Sequence, residues 1–239
     1  MAKVGVIKPT VGSSSLGDLE KILPKDIELE EEYMAFQYRS KDEFANCMPA
    51  YSQKVDILAA KGCEIIHPEG APPFMLAGIE EETRLINEWE KKHKVPVFTT
   101  GTTQVAALKA CGVKQFVGYT PFTGELSEAF RVYFKKAGFE PMGMENLADD
   151  MPALYRMNGK ELGERMIRDF RKMPGKPQAL YILGSGWRAL DAIDELEKAL
   201  DVPVLHPVVV RCWYILRMLG RSAPIRGHGR LLATMPPLP

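Results

Sequence analysis

Short apolar segments alternate with amphipathic helical patterns along almost the whole chain, and this alternation restricts the fold more than any other feature of the sequence. The segments KVGVIKP, CEIIHPEG, KQFVGYTP and QALYILGSG are typical of buried strands, and a helical pattern follows each of them. Regular alternation of strands and helices predicts mainly parallel sheets that are covered by helices. Functional sites of such folds lie at the carboxyl ends of the strands.

Two parts of the sequence resemble each other. CEIIHPEG, a helix, EKKHKVPVFTT and a helix ending KACG run in the same order as LYILGSG, a helix, EKALDVPVLHP and a helix ending RMLG. We therefore predict an α/β protein of two pseudo-symmetric, doubly wound lobes, with mainly parallel sheets of about four to five strands. Gly70 and Gly184 are expected to open onto a cleft that the lobes share. The alternative is the generic repetition of α/β folds, in which VPV before a helix is common.

The domain organisation follows from this repeat. The chain has 239 residues, which is long enough for two lobes with their own cores. The predicted N-terminal lobe comprises 1–113 plus 208–239, and the predicted C-terminal lobe comprises 114–207.

The balance of charges argues for a small-molecule partner. Lys plus Arg and Asp plus Glu both number 31, so no overall field attracts nucleic acid or an anionic membrane. No apolar run approaches the roughly 18–20 residues that span a bilayer, and MAKVGVIKPT begins as a strand. We expect a cytoplasmic protein with no nucleic-acid or membrane partner.

The four cysteines, Cys47, Cys63, Cys111 and Cys212, lie far apart and form no CxxC pair. This spacing argues against a zinc site or a redox pair. We expect the four thiols to be small apolar packing groups.

Several segments are similar to a known superfamily. These are GVIKPTVGSSSLGDLEKILP near the start, TPF at Thr120, RALDAIDELEKALDVPVL at Arg188 and GHGRLL at Gly227. The chain resembles the aspartate/glutamate racemase superfamily, in particular its arylmalonate decarboxylase and maleate isomerase branch. The resemblance implies a homo-oligomer that needs no cofactor. It also implies that hydroxyls and backbone N–H groups hold a carboxylate substrate, while a cysteine from one or both lobes moves the proton or adds to carbon.

The sequence departs from the family pattern at the positions that carry this chemistry. The two cysteine positions correspond to Gly70 and Gly184, so that both thiols are missing. The hydroxyl residues that follow the first cysteine correspond to Ala71 and Pro72, and the tyrosine of the family's TPY corresponds to Phe122. A pocket with fewer hydroxyls suits an aromatic or otherwise apolar acid.

His67, Glu69 and His206 are the candidates for the proton transfer that the thiols no longer provide. Each lies at a predicted carboxyl end of a strand. Histidine titrates near neutral pH, and a carboxylate can orient it or act itself. The alternatives are a structural role for each residue or a divalent metal held by all three. The resemblance implies no metal.

Ten residues are predicted to line the substrate pocket, namely Pro9, Thr10, Ser13, Gly70, Ala71, Thr120, Phe122, Gly184, Ser185 and Gly186. The backbone N–H groups of Ser185 and Gly186 precede a helix predicted over 187–200, where they are placed to hold a negative oxygen. Thr99 and Thr100 are further candidates of the same kind, and Tyr119 and Arg211 are weaker ones.

Three functions follow. The first is a cofactor-independent lyase or isomerase, decarboxylase-like, that acts on a small carboxylate through an enolate-type intermediate. The second is a hydrolase or hydratase in which His and Glu activate water in the same cleft. The third is a ligand-binding relative without activity.

Overall fold

The computed structural model describes residues 1–9, 15–36, 40–146, 156–184 and 188–239. They form two compact units, Met1–Thr103 and Gln104–Pro239. The sequence-based division assigned 208–239 to the first lobe, but two hydrogen bonds tie part of this segment to the second unit. The backbone N–H groups of Gly229 and Arg230 donate to the carboxylates of Asp194 and Glu197.

The first unit contains a three-stranded parallel sheet and the helices that connect its strands. Its elements are β1 (Ala2–Lys8), α1 (Ser15–Ile22), β2 (Ile27–Tyr33), α2 (Lys41–Ala45), α3 (Met48–Ala60), β3 (Ile65–Pro68), α4 (Ala71–Ala77), α5 (Ile79–His93) and α6 (Thr100–Ala110), the last of which continues into the second unit. The strand order is β2-β1-β3, and both pairs are parallel. The strand predicted at VPVFTT is reduced to a single parallel bridge between Val97 and Ile66.

The second unit has the same arrangement with a fourth strand. Its elements are β4 (Gln115–Tyr119), α7 (Gly124–Lys136), β5 (Glu140–Glu145), α8 (Gly159–Lys172), β6 (Leu180–Ile182), α9 (Ile193–Leu200), β7 (Val204–Leu205), α10 (Pro207–Met218) and α11 (Arg230–Thr234). The strand order is β5-β4-β6-β7, and all pairs are parallel. The predicted parallel α/β fold is therefore confirmed in both units, and the predicted strand number holds for the second sheet. No described helix combines the length and the apolarity that crossing a bilayer requires.

The helix predicted over 187–200 begins later than the sequence pattern indicates. Leu190–Ala192 form a turn of 3-10 helix, in which the N–H of Ala192 donates to the carbonyl of Ala189. The α-helix α9 starts only at Ile193. Tight 3-10 turns are frequent at helix ends, and an apolar period does not distinguish them from the first turn of an α-helix.

A core cluster in the first unit holds α3 and α5 against the sheet. Tyr51, Val55 and Leu58 lie on one face of α3 and are fully buried. The ring of Tyr51 packs on Phe74 at 5.1 Å, and Phe74 meets Trp89 edge-on at 6.4 Å. Each such side chain contributes about 1.5–3 kcal/mol by leaving water. The packing fixes Tyr51 next to the end of β3.

Both units contain the same link between a glutamate and the strand that follows it. Glu90 accepts a hydrogen bond from the backbone N–H of Val97 at 2.9 Å, and Glu197 accepts one from Val204 at 2.9 Å. The two glutamates begin the similar segments EKKHKVPV and EKALDVPV. In each case the N–H of the valine points away from the neighbouring strand, because the residues on either side of the valine make the hydrogen bonds of the parallel pairing. The internal likeness of the sequence thus has a matching structural detail.

Candidate functional site

Lys8 and Glu69 form a buried ion pair at the carboxyl ends of β1 and β3. Lys8 Nζ lies 2.7 Å from Glu69 Oε2, and the two side chains are only 2% and 7% exposed. Lys8 Nζ also donates to Ser15 Oγ. The backbone holds both residues in place, because the carbonyl of Lys8 accepts from Met34 N–H and the N–H of Glu69 donates to the carbonyl of Ile7. Buried lysines are rare, and a buried pair at a strand end is a candidate functional group.

The turn after Glu69 requires glycine. Gly70 has φ +138°, and a Cβ at this position would lie 2.6 Å from Tyr51 Oη. The hydroxyl of Tyr51 donates to the carbonyl of Glu69 at 2.6 Å, and Gly70 N–H donates to Thr100 Oγ1 at 3.1 Å. Burial raises the pKa of Tyr51 well above its usual value, so the hydroxyl remains a donor. The turn is thereby held from two sides.

His67 is buried in the first unit and fixed by one carbonyl. Its Nδ1 lies 2.9 Å from the carbonyl oxygen of Phe98, and its ring stacks on that of Phe98 at 4.6 Å. A carbonyl only accepts, so Nδ1 carries the proton and Nε2 is unprotonated in the neutral ring. Of the two ring nitrogens, Nε2 is therefore the one that can accept a proton.

Thr99 and Thr100, at the start of α6, have different contacts. Thr99 Oγ1 donates to Glu82 and accepts from the N–H of Thr102 at 3.2 Å, which caps the start of the helix. Thr100 instead binds the N–H of Gly70. Of these two candidates, only Thr100 contacts the turn at Gly70 in a described hydrogen bond.

Gln104 is fully buried in α6, and neither atom of its amide has a hydrogen-bond partner among the described residues. Residues four apart on a helix lie on the same face, so Gln104 is one turn along from Thr100. A buried polar group without a partner costs about 1–3 kcal/mol. Its amide is therefore a group that a ligand can satisfy, although no sequence pattern indicated it.

Replacing Gln104 by methionine is expected to raise the free energy of unfolding by about 1 kcal/mol or more, because the side chain keeps its length and loses the unpaired amide. Thermal and urea unfolding without ligand measure the change. Gln53→Met is the matched control, since Gln53 is exposed on α3, and it should leave stability unchanged. A loss of stability in Gln104→Met would mean that an internal partner such as water already satisfies the amide.

In the second unit, Thr120 and Gly184 follow strands β4 and β6. Thr120 is fully buried, and its hydroxyl accepts from the N–H of Phe122 at 3.1 Å. The ring of Phe122 lies 5.7 Å from that of Phe130. Gly184 has φ +120°, which is close to the value at Gly70. Both glycines thus use backbone conformations that other residues rarely adopt.

His206 caps the start of α10. Its Nδ1 accepts from the N–H of Val208 at 3.3 Å, and the residue is buried. Because Nδ1 accepts, the neutral ring carries its proton on Nε2. His67 and His206 thus have opposite tautomers in their neutral forms. Arg211 is buried in the same helix.

The predicted site residues are divided between the two units. In the first unit, Glu69 and Gly70 meet Lys8, Tyr51 and Thr100, and Pro9 and Ala71 are the next residues along the chain. His206, Thr120, Phe122 and Gly184 belong to the second unit. Thr10, Ser13, Ser185 and Gly186 lie outside the described residues. In the part of the chain that the structure describes, no three His, Cys, Asp or Glu side chains are grouped to hold a metal ion.

Solved structures of known proteins share this fold. Maleate isomerase Iso from Pseudomonas putida S16 matches with a TM-score of 0.85 at 20% identity, over 98% of this chain and 99% of the other. The Nocardia farcinica maleate cis-trans isomerase matches with a TM-score of 0.87 at 18% identity, over 98% of both chains. The fold is thus that of the maleate isomerases.

The sequence itself shows the family. Residues 4–232 match the family model described as arylmalonate decarboxylase. The arylmalonate decarboxylase of Bordetella bronchiseptica is 29% identical over 176 residues, which are 73% of each chain. The protein belongs to the arylmalonate decarboxylase family.

Proposed function

We propose that this protein is a cofactor-independent lyase or isomerase, decarboxylase-like, that acts on a small apolar carboxylic acid through an enolate-type intermediate. The observation that carries the proposal is the buried Lys8–Glu69 pair beside the turn at Gly70. The Lys8 amine and the Glu69 carboxylate are groups that can exchange a proton. They lie at the strand ends, where sites of parallel α/β folds are found. The family membership supports the choice of reaction.

The proposal includes a change in the group that transfers the proton. One variant of the Nocardia farcinica maleate cis-trans isomerase has been crystallised with a covalently bound succinylcysteine intermediate. We propose that Gly70 and Gly184 occupy the positions of the family cysteines. Glu69, adjacent to the first of them, then takes over the proton transfer, with His67 and His206 as further acid or base groups.

The cysteines that the chain does contain are unsuited to this chemistry. Burial raises the pKa of Cys47 and Cys212 to about 12, and that of Cys63 and Cys111 to about 11. The thiolate is the reactive form, and at neutral pH it is a minor species at such pKa values. None of these four thiols is therefore assigned the proton transfer.

The proposed reaction needs one proton. When a malonate-type substrate loses CO2, the electrons of the broken C–C bond remain on the substrate as an enolate. The Lys8 ammonium passes a proton to the Glu69 carboxylate, whose Oε2 lies 2.7 Å from Nζ, and the resulting carboxyl group donates that proton to the carbon. The amine in turn recovers a proton from solvent. A positioned acid of this kind contributes about 10²–10⁴-fold to the rate.

The test is turnover of phenylmalonate in D2O, followed by release of CO2 and by NMR. We expect one deuterium at the α-carbon of the product and a fall in kcat of about 10²–10⁴-fold in Glu69→Gln. Glu88→Gln is the control, since Glu88 is exposed on α5. Treatment with iodoacetamide at neutral pH should leave turnover unchanged.

Two outcomes contradict the proposal. Full turnover in each of His67→Ala, Glu69→Gln and His206→Ala removes the assigned acid and base groups. Binding of arylmalonates and other small acids without any product indicates a ligand-binding relative without activity. Solvent oxygen in the product of another substrate would instead favour hydrolysis or hydration.

A further inference from the structure

Lys8 is a buried primary amine that the proposed proton transfer uses only as a proton reservoir. We propose that Lys8 forms an imine with the substrate, and that the substrate is a β-keto carboxylate whose ketone carbon the amine attacks. This inference rests on the proposed function, because it names the substrate class of the same site. It assigns Lys8 the covalent role.

The position of Lys8 suits a covalent role. It ends β1, the central strand of the sheet order β2-β1-β3, and its side chain is 2% exposed. The carbonyl of Lys8 accepts from Met34 N–H on one side, and Glu69 N–H donates to the carbonyl of Ile7 on the other. The amine and its acid partner are therefore fixed on adjacent strands. Ser15 Oγ also accepts a hydrogen bond from Nζ, which further restricts the orientation of the amine.

The pairing with Glu69 supplies the proton transfers that imine formation needs. Glu69 Oε2 at 2.7 Å can take a proton from the ammonium, which converts two charged groups into two neutral ones without a change in net charge. This exchange is easiest where water does not stabilise the charged forms, as at this buried site. The free amine that results is the nucleophile, and the Glu69 carboxyl group is an acid within reach of it.

The reaction then balances with solvent water as the only other reactant. The amine adds to the ketone carbon, and the carbinolamine hydroxyl leaves as water with the proton from Glu69, which gives an iminium ion. The bond between the α-carbon and the carboxylate breaks, CO2 leaves, and the electron pair moves to the iminium nitrogen. The enamine carbon takes a proton that solvent supplies through Glu69. Water then releases the ketone and restores the Lys8 ammonium.

A ketone is needed because a carboxylate does not condense with an amine. The iminium nitrogen accepts the electrons of the breaking C–C bond, so the substrate needs no aryl group to stabilise them. Lysine performs this chemistry in proteins when it is desolvated or placed next to another cationic group. The burial of Lys8 meets the first of these conditions.

The experiment is reductive trapping of the wild-type protein with 3-oxo-3-phenylpropanoate and sodium borohydride. We expect a covalent adduct of the decarboxylated ketone in the intact mass, and peptide mapping should place it on Lys8. Lys8→Arg keeps the cation beside Glu69 but forms no imine, and it should show no adduct and lose at least 10²-fold in CO2 release. Lys61→Arg, a variant of a 40% exposed lysine, should behave like the wild type.

The outcomes separate this inference from the proposed function. If phenylmalonate or the keto acid loses CO2 and no adduct is trapped on Lys8, the imine is wrong and the proposed function stands. If no acid is turned over, the proposed function fails, whatever is trapped. An adduct spread over several lysines, or one that persists in Lys8→Arg, also overturns the assignment.

Discussion

Lys8→Met alone is expected to lower the free energy of unfolding by about 3–5 kcal/mol, because it leaves the buried Glu69 carboxylate without its cationic partner. Glu69→Leu should have a similar cost for the converse reason. The double variant Lys8→Met/Glu69→Leu should recover most of the loss, since two apolar groups of similar volume replace two charges. Urea unfolding of the four proteins measures the coupling.

The control for this cycle is an exposed pair. Lys92 and Asp56 also lie 2.7 Å apart, but their side chains are 57% and 42% exposed. Lys92→Met should therefore cost far less than Lys8→Met, because water stabilises the remaining charge. If the losses of the two buried single variants simply add in the double variant, the ion pair is not the source of the effect.

Gly70→Ala is expected to destabilise the protein by about 2–6 kcal/mol through two separate effects. The backbone at φ +138° costs about 1–3 kcal/mol for any residue with a Cβ. The added atom also lies 2.6 Å from Tyr51 Oη, a contact that adds about 1–3 kcal/mol of overpacking. Thermal or urea unfolding gives the sum.

Two further variants separate these effects. Gly62 has φ +76°, and a Cβ there would have no atom within 4 Å, so Gly62→Ala reports the cost of a positive φ without a steric contact. Tyr51→Phe removes the hydroxyl that the Cβ meets, and the double variant Gly70→Ala/Tyr51→Phe should recover the overpacking part. If Gly70→Ala costs the same with Tyr51 as with Phe at position 51, the hydroxyl does not restrict this position. A cysteine at position 70 meets the same two obstacles.

The order of strands and helices was predictable because it depends on local periodicity. The same holds for the strand-end positions of His67, Glu69 and Gly70, since parallel strands place their carboxyl ends at one edge of a sheet. A strand was predicted at VPVFTT because its apolar run suits one. This prediction was wrong in extent, since only Val97 pairs with a neighbouring strand in the structure. The start of α9 was placed too early because a 3-10 turn has a similar apolar pattern.

Lys8 and Gln104 were missed because their significance depends on distant neighbours. A single lysine at the end of an apolar segment is usually solvated, and its partner Glu69 is 61 residues away in the sequence. Gln104 resembles any polar residue of an amphipathic helix until its burial is known. The hydrogen bonds that set the tautomers of His67 and His206 likewise come from the folded backbone, at Phe98 and Val208.

The glutamate link that both units share has a consequence for the polar groups at the margins of the two sheets. Val97 and Val204 lie at these margins and are buried, so a backbone N–H without a partner would be costly there. The carboxylates of Glu90 and Glu197 accept from these N–H groups. Each half of the chain thus completes the hydrogen bonding at the margin of its sheet with a side chain of the preceding helix.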